Sequence, residues 1–197
     1  MVEIYYNEKK SVKVNKMKLM IASDIHGSAY YCEELLKAWE REGAHKLLIL
    51  GDILYHGPRN DLPDGYAPKK VIELLNPLKE KILCVRGNCE AEVDQMVLSF
   101  LVLADYAVLF VDGITIYATH GHVYNESNLL PMERGAVLLN GHTHVPKCVK
   151  HDEYIYMNPG SVSIPKEGSE HGYMIYENKR FTWKNLDGEE YDSMLLD

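Results

Sequence analysis

The stretch Gly141-His142-Thr143-His144 follows the apolar run Ala136-Val137-Leu138-Leu139, which is typical of a short buried strand. Two histidines one residue apart, just after a strand, can both point into one site from a turn. Imidazole is the commonest metal ligand among side chains. A single His-x-His pair also arises by chance, so its interpretation as a metal site depends on the residues upstream.

Polar side chains also stand at four earlier points where an apolar run stops. These are Asp24-Ile25-His26, Gly51-Asp52, Gly87-Asn88 and His120-Gly121-His122. Each of the five predicted strand ends therefore carries a carboxylate, an amide or an imidazole, and this recurrence indicates a metal site.

The composition limits the class of protein. The 197 residues are 46% hydrophobic and 25% charged, which is typical of a globular chain with its own core. The net charge of −8 argues against a general nucleic-acid-binding surface. No run of 18 apolar residues predicts a membrane span, and the charged N-terminus does not read as a secretory signal. The four cysteines form no Cys-x-x-Cys pair, so we expect free thiols and a cytoplasmic protein.

The order of predicted elements changes halfway along the chain. Residues 18–23, 28–42 and 46–50 read as a strand-helix-strand unit, for which a parallel strand pair with a right-handed crossover is expected. After Asp105 the pattern consists mostly of strands, starting with a hairpin. We therefore predict two sheets packed face to face with helices outside, in a single domain over 17–197 that follows an N-terminal extension at 1–16, a tail or a hairpin.

The candidate ligands are too many for one tetrahedral metal site. They are Asp24, His26, Asp52, Asn88, His120, His142 and His144. Oxygen donors mixed with imidazoles suit Mn, Fe, Zn or Co better than Ca or Mg. Seven such groups suit two metals about 3.5–4 Å apart that share a bridging carboxylate. Two such cations polarise phosphate oxygens and lower the pKa of a bridging water, whose hydroxide can attack phosphorus in line.

The order and spacing of these motifs resemble those of the calcineurin-like metallophosphoesterases over residues 17–176. Asn158-Pro159-Gly160-Ser161 and the loop His56-Gly57-Pro58-Arg59-Asn60 are similar to the small bacterial YfcE-type phosphodiesterase subgroup. The resemblance implies an α/β fold of the metallo-dependent phosphatase type, a four-layer αββα sandwich of two mixed β-sheets with its site at the strand C-termini. It also implies two divalent metal ions, Mn or else Fe, Zn, Ni or Co, and hydrolysis of phosphodiesters by a metal-bridging hydroxide.

The resemblance also implies a role for each ligand. Asp24, His26 and His144 would hold the first metal. Asn88, His120 and His142 would hold the second, and Asp52 would bridge the two. The catalytic residues, acting through the metal-bound hydroxide, would then be Asp52, Asn88 and His120.

Five further residues are candidates for substrate contact. His122 follows His120 by two residues, so it could touch the substrate phosphate or act as a ligand itself. Arg86 could bind phosphate or form an ion pair with Glu90. His56 and Arg59 belong to the long loop after Asp52, where they could line the substrate side or face solvent. The fifth candidate, Cys89, follows a metal ligand and should lie at the mouth of the site.

Cys89 and Glu90 depart from the pattern of the protein-phosphatase branch, which has a histidine paired with an aspartate at these positions. A thiol replaces an imidazolium poorly, so we expect a small phosphodiester with a good leaving group rather than a phosphoprotein. Two alternatives stay open, a phosphomonoesterase of the same mechanism and a non-catalytic binding scaffold of the same fold. A homo-oligomer is also compatible with the sequence.

Overall fold

The computed structural model describes residues 17–196, so the predicted extension at 1–16 lies outside the described residues. The chain forms two mixed sheets. The six-stranded sheet contains β1 (Lys18–Ala22), β2 (Lys46–Ile49), β3 (Ile82–Cys84), β9 (Gly172–Glu177), β10 (Arg180–Asn185) and β11 (Glu190–Leu195). The five-stranded sheet contains β4 (Ala107–Val111), β5 (Ile114–Ala118), β6 (Ala136–Leu139), β7 (Pro146–Lys150) and β8 (Tyr154–Pro159). The helices are α1 (Ala29–Glu42), α2 (Pro68–Leu75), α3 (Glu92–Val97) and a short 3-10 helix at Asn76–Leu78.

The six-stranded sheet runs in the order β11-β10-β9-β1-β2-β3. Strand β1 pairs in parallel with β2 and antiparallel with β9, so the predicted parallel strand-helix-strand unit is confirmed. Helix α1 begins after Ser28, whose hydroxyl accepts the amide of Tyr31, and it ends at Gly43 in the left-handed region (φ 62°). The five-stranded sheet runs in the order β4-β5-β6-β8-β7 and has three parallel strands, β5, β6 and β8, at its centre.

The sheets pack face to face because alternate residues of each strand point to opposite sides. In β1, Leu19 and Ile21 point into the core between the sheets, where they join Val137 and Leu139 of β6. Met20 and Ala22 point outward into the core under α1 and α2. The α/β class and the sandwich of two mixed sheets are confirmed.

The outer face of the five-stranded sheet is covered by a segment of turns rather than by a helix in the described residues. Met132, from the segment between β5 and β6, packs there against the buried cluster of Leu138, Tyr154 and Tyr156. No helical residue belongs to this outer cluster in the described chain, because the segment forms turns rather than a helix. None of the helices within residues 17–196 has the length and apolar character needed to cross a membrane.

Candidate metal centre

The seven predicted ligands lie where strands of both sheets end. Asp24 and His26 follow β1, Asp52 follows β2 and Asn88 follows β3, all in the six-stranded sheet. The other three ligands follow strands of the five-stranded sheet, His120 after β5 and His142 and His144 after β6. Five of the seven have left-handed backbone conformations, namely Asp24 (φ 59°), His26 (φ 49°), Asp52 (φ 56°), His142 (φ 65°) and His144 (φ 62°). Such conformations are uncommon for residues other than glycine and cluster at functional sites.

The first half of the site brings together one carboxylate and two imidazoles. Asp24 Oδ1 lies 3.1 Å from His144 Nε2 and 3.4 Å from His26 Nε2. The two Nε2 atoms are themselves 3.1 Å apart. All three side chains are buried.

The outer hydrogen bonds of these two histidines fix which ring nitrogen carries the proton. His26 Nδ1 lies 2.8 Å from the carbonyl oxygen of Tyr55, and His144 Nδ1 lies 2.7 Å from that of Ile164. A carbonyl only accepts, so each Nδ1 must donate its proton, and each neutral Nε2 is left with a lone pair. These lone pairs face each other and Asp24 Oδ1, which has no hydrogen-bond donor. They repel unless a cation or a proton lies between them.

The second half of the site is built around His120. Its Nδ1 donates to the carbonyl of Leu50 at 2.7 Å, and its Nε2 lies 3.1 Å from Asn88 Oδ1. The His142 ring lies 5.0 Å from the His120 ring, centroid to centroid. The amide of His142 donates to Asp24 Oδ2 at 3.0 Å and so ties the two halves together.

Asp52 lies between the two halves. Its Oδ2 is 3.7 Å from His26 Nε2 and 3.5 Å from His120 Nε2. Its Oδ1 accepts the amide of Cys89 at 2.9 Å, so Oδ2 is the oxygen left free to bind a metal ion. Asp24, Asp52 and the histidines around them thus form buried clusters of donor atoms, and this donor set fits divalent metal ions.

The electrostatics of the site also favour positive charge. Burial alone would raise the pKa of Asp24, but the neighbouring imidazoles of His144 and His26 hold it well below its usual value. Burial would lower the pKa of His120, but Asp52 and Asp24 raise it to about 9. Without metal, protons on His26 and His120 therefore balance the two buried aspartates.

Glu90 has a role that the sequence did not reveal. Its carboxylate accepts the amides of Asp52 (2.9 Å), Ile53 (2.7 Å) and Gly87 (2.5 Å), so it joins the loops after β2 and β3. The Glu90 carboxylate therefore binds backbone amides and does not form the ion pair with Arg86 that the sequence left open. Burial and the charge of Asp52 raise the pKa of Glu90 to about 7. Gly87 is required here because a Cβ atom would collide with the Asp52 and Glu90 carboxylates.

The predicted Asn158–Ser161 stretch supports the ligand turns from behind. Asn158 Nδ2 donates to the carbonyl of Gly141 at 2.7 Å and to Thr143 Oγ1 at 3.1 Å. The hydroxyls of Ser161 and Ser163 donate to the carbonyl of Asp24 at 2.8 and 3.0 Å. One short segment therefore holds ligand-bearing turns of both sheets.

A cleft of about 420 Å³ opens onto the site. It is lined by His26, Asp52, Arg59, Asn60, Asn88, His142, Thr143, His144 and Lys166. Arg59 thus lies where the sequence suggests. Lys166 also lines the cleft, although the sequence does not predict it as a site residue. No sequence pattern singles it out, because only the folded turn after β8 brings it to the cleft.

The other substrate candidates lie at different distances from this cleft. Cys89 Sγ lies within 4.8 Å of ligand atoms of His26 and Asp52, at the edge of the site. His122 is exposed, 5.4 Å from the His120 ring, and lines a second cleft. Neither His56 nor Arg86 lines the first cleft, and the His56 ring packs edge-on against Tyr55 and Tyr66.

The fold and the donor set define a metal-dependent phosphoesterase. The calcineurin-like phosphoesterase superfamily domain matches residues 17–180. The chain therefore belongs to this family and is a hydrolase of phosphoric esters.

Individual relatives are close as well. The chain is 48% identical over 162 residues to Phosphodiesterase YfcE of Escherichia coli strain K12, which covers 82% of this chain and 88% of the relative. It is 26% identical to the probable metallophosphoesterase YsnB of Bacillus subtilis strain 168, over 81% of this chain and 83% of that protein.

Solved structures show the same fold. That of Yfce, a phosphoesterase from E. coli, superposes with a TM-score of 0.89 at 43% identity, over 92% of this chain and 100% of that one. Vacuolar Protein Sorting 29 from Cryptosporidium parvum has a TM-score of 0.60 at 15% identity, over 92% and 99% of the two chains. This second likeness concerns the fold alone.

Proposed function

We propose that this protein is a phosphodiesterase that uses two divalent metal ions. The observation that carries the proposal is the convergence of bare Nε2 lone pairs and an unpartnered carboxylate oxygen, all buried, around Asp24 and Asp52. Such a cluster needs positive charge at its centre. When bound, the two cations would polarise the phosphoryl oxygens and supply a hydroxide from a bridging water at neutral pH.

We assign the ligands to two metal ions as the resemblance implies. Asp24, His26 and His144 would hold one cation, and Asn88, His120 and His142 the other. Asp52 would contact both, since its free oxygen lies at similar distances from the two groups. Asp52, Asn88 and His120 would then position the reacting phosphate and the attacking oxygen, while backbone carbonyls keep the Nδ1 protons away from the cations.

Two observations favour a diester over a monoester. The relative that is 48% identical is named a phosphodiesterase. At the edge of the site this chain carries the Cys89 thiol rather than an imidazole. A thiol replaces an imidazolium poorly as a proton donor to an alkoxide leaving group, and dianionic monoesters with poor leaving groups depend most on such a donor.

Among metals, the mixed donor set of imidazole, carboxylate and amide oxygen suits Mn²⁺, with Fe, Zn, Ni and Co as alternatives. No cysteine completes a thiolate-rich set in the described residues, which weighs against a purely thiophilic metal.

The proposal is tested by removing and restoring the metal. Treatment with a chelator should abolish hydrolysis of bis(p-nitrophenyl) phosphate, and added Mn²⁺ should restore it better than Mg²⁺ or Ca²⁺ because the site offers imidazoles. The matched monoester, p-nitrophenyl phosphate, should be hydrolysed more slowly under the same conditions. Full diester hydrolysis by a sample shown to be metal-free by elemental analysis would contradict the proposal.

A further inference from the structure

Two clefts meet at the metal centre, and they differ in charge. The first, described above, contains two cationic side chains, Arg59 and Lys166. The second has a volume of about 300 Å³ and shares His142 and Thr143 with the first. Its lining holds neither lysine nor arginine and consists of Gly121, His122, Asn125, Glu126, Ser127, Asn140, Gly141, His142, Thr143 and Tyr156.

The acidic group of the second cleft is already neutralised. Glu126 accepts Lys147 Nζ at 2.6 Å and lies 3.0 Å from His151 Nε2. The lining also includes the side-chain amide of Asn125 and the hydroxyl of Ser127. This cleft therefore suits an uncharged polar group.

The cations of the first cleft have no counter-charge of their own. Within residues 17–196, neither Arg59 nor Lys166 forms a side-chain hydrogen bond or ion pair, although the whole chain has a net charge of −8. Other exposed lysines, such as Lys37 and Lys70, pair with a glutamate one helical turn away. Two unpaired cations that face one cleft of an acidic protein indicate an anion to be bound there.

Both cations stand on segments that are tied to the metal centre. The carbonyl of Tyr55, four residues before Arg59, accepts the Nδ1 proton of His26, and the loop is closed by hydrogen bonds of Asn60 to His56 and Gly57. On the opposite side, the Ile164 carbonyl accepts the Nδ1 proton of His144. The anchors of both cation-bearing loops are thus fixed relative to the metal ligands.

The amide of Lys166 donates to the carbonyl of His144 at 3.1 Å, and the Lys166 carbonyl accepts the Ser169 hydroxyl. The backbone of this turn is therefore held on both sides, while the lysine side chain remains exposed to the cleft. The turn therefore keeps Lys166 beside the metal ligands, and its charged head is free to contact a substrate group in the cleft.

We propose that the diester substrate carries a second anionic group on one arm, a carboxylate or a phosphate, which Arg59 and Lys166 bind, while its other arm is uncharged and polar and lies in the second cleft. The inference rests on the proposed phosphodiesterase function, since only a diester has two arms to place on the two sides of Thr143. It narrows the substrate class from any diester to one of asymmetric charge.

The test compares diesters that share the p-nitrophenolate leaving group and differ in the other arm. The arms are ethyl, 2-carboxyethyl, 2-phosphoethyl and 2-trimethylammonioethyl. Charge-assisted hydrogen bonds to exposed cations should make kcat/KM about tenfold higher for an anionic arm than for ethyl, and lower for the cationic arm. Arg59 can bind either a carboxylate or a phosphate in a bidentate way. Comparing kcat/KM for the 2-carboxyethyl and 2-phosphoethyl diesters therefore identifies which anion the cleft prefers.

The double variant Arg59→Gln with Lys166→Gln should lose this preference, so that the ratio of kcat/KM between the carboxyethyl and ethyl diesters falls to about one. Lys69→Gln is the matched control, because Lys69 is an exposed lysine on α2 outside the cleft, and it should keep the ratio. An unchanged ratio in the double variant would overturn the proposal. If kcat/KM falls equally for both substrates, so that their ratio is unchanged, the cations contact the reacting phosphate instead.

A binding measurement separates this inference from the function on which it rests. Methylphosphonate monoesters with ethyl or 2-carboxyethyl arms, titrated into the Mn²⁺-loaded protein by calorimetry, should bind with an affinity difference of about tenfold that the double variant removes. If no diester is hydrolysed but this difference persists, the phosphodiesterase function is wrong and the anion site stands. Equal affinities for the two ligands in the wild type contradict the anion site.

Discussion

At the scale of single residues, the site depends on unfavourable backbone conformations. Each left-handed residue other than glycine costs of order 1–3 kcal/mol, and five of the seven predicted ligands have one. The surrounding structure enforces them. The amide of His26 donates to the Asp52 carbonyl at 2.8 Å, and that of Asp24 to the Gly51 carbonyl at 3.1 Å. These bonds turn the side chains of both loops toward the same point.

The charge balance of the metal-free site predicts an unusual dependence of stability on pH. Histidines His26 and His120 have raised pKa values, that of His120 reaching about 9. Each therefore stabilises the fold fully below its unfolded pKa of about 6.5 and loses this contribution as the pH rises through its folded pKa. The aspartates, whose pKa values are lowered, contribute equally at any pH above about 5. We expect the free energy of unfolding of the chelated protein to fall by roughly 1–3 kcal/mol between pH 6.5 and 9.

Thermal melts of the chelated protein across this pH range measure the effect. Mn²⁺-loaded protein serves as the control, because metal binding displaces protons from the histidines and strengthens as the pH rises. His120→Asn should lose much of the slope in the chelated state. A melting temperature of the metal-free wild type that stays flat or rises from pH 6.5 to 9 would contradict this charge balance.

At the scale of secondary structure, the polar residues at the ends of buried strands can be predicted from the sequence. Buried runs such as β6 are continuous and apolar, so their ends and the ligands after them stand out. Strand β11 is mostly exposed, with Glu190 and Asp192 in it, and β7 begins at Pro146. Neither has the buried pattern of a strand, so both were missed.

The supporting contacts of the site were equally invisible in the sequence. Glu90 and Lys166 act through hydrogen bonds or a cleft that exist only once loops distant in sequence meet. The Asn158–Ser161 stretch stands out in the sequence as a motif, but its contact with the turn after β6 depends on the parallel pairing of β6 and β8. Motifs at strand ends can therefore be found from sequence, whereas the contacts that orient them require the fold.

That supporting contact gives a prediction about metal affinity. Asn158→Ala removes the donors to the Gly141 carbonyl and the Thr143 hydroxyl, so the turn that carries His142 and His144 loses its support. Mn²⁺ affinity should fall about 10–100-fold, as measured by calorimetric titration of the metal-free protein.

Asn76→Ala is the matched control, because Asn76 likewise bonds to two backbone groups, the carbonyl of Val97 and the amide of Ser99, away from the metal centre. It should lower stability while leaving Mn²⁺ affinity unchanged. Equal metal affinities in the two variants would show that Asn158 supports the fold and not the ligands.

At the scale of the whole molecule, the site belongs to neither sheet alone. Asp24, Asp52 and Asn88 come from the six-stranded sheet, and His120 and His142 come from the five-stranded sheet. The apolar core between the sheets sets how their ends align. Metals at this edge would join the two sheets and so add to the stability of the sandwich.

The count of metal ions per chain tests the central claim most directly. Elemental analysis of active protein, at a chain concentration fixed by amino-acid analysis, should give two Mn²⁺ per chain in the wild type. It should give fewer in Asp52→Asn, since that change removes the negative charge between the two cations, and diester hydrolysis should fall with the metal content. One metal ion or none in a fully active wild-type sample, or two retained in Asp52→Asn with unchanged activity, would contradict the account.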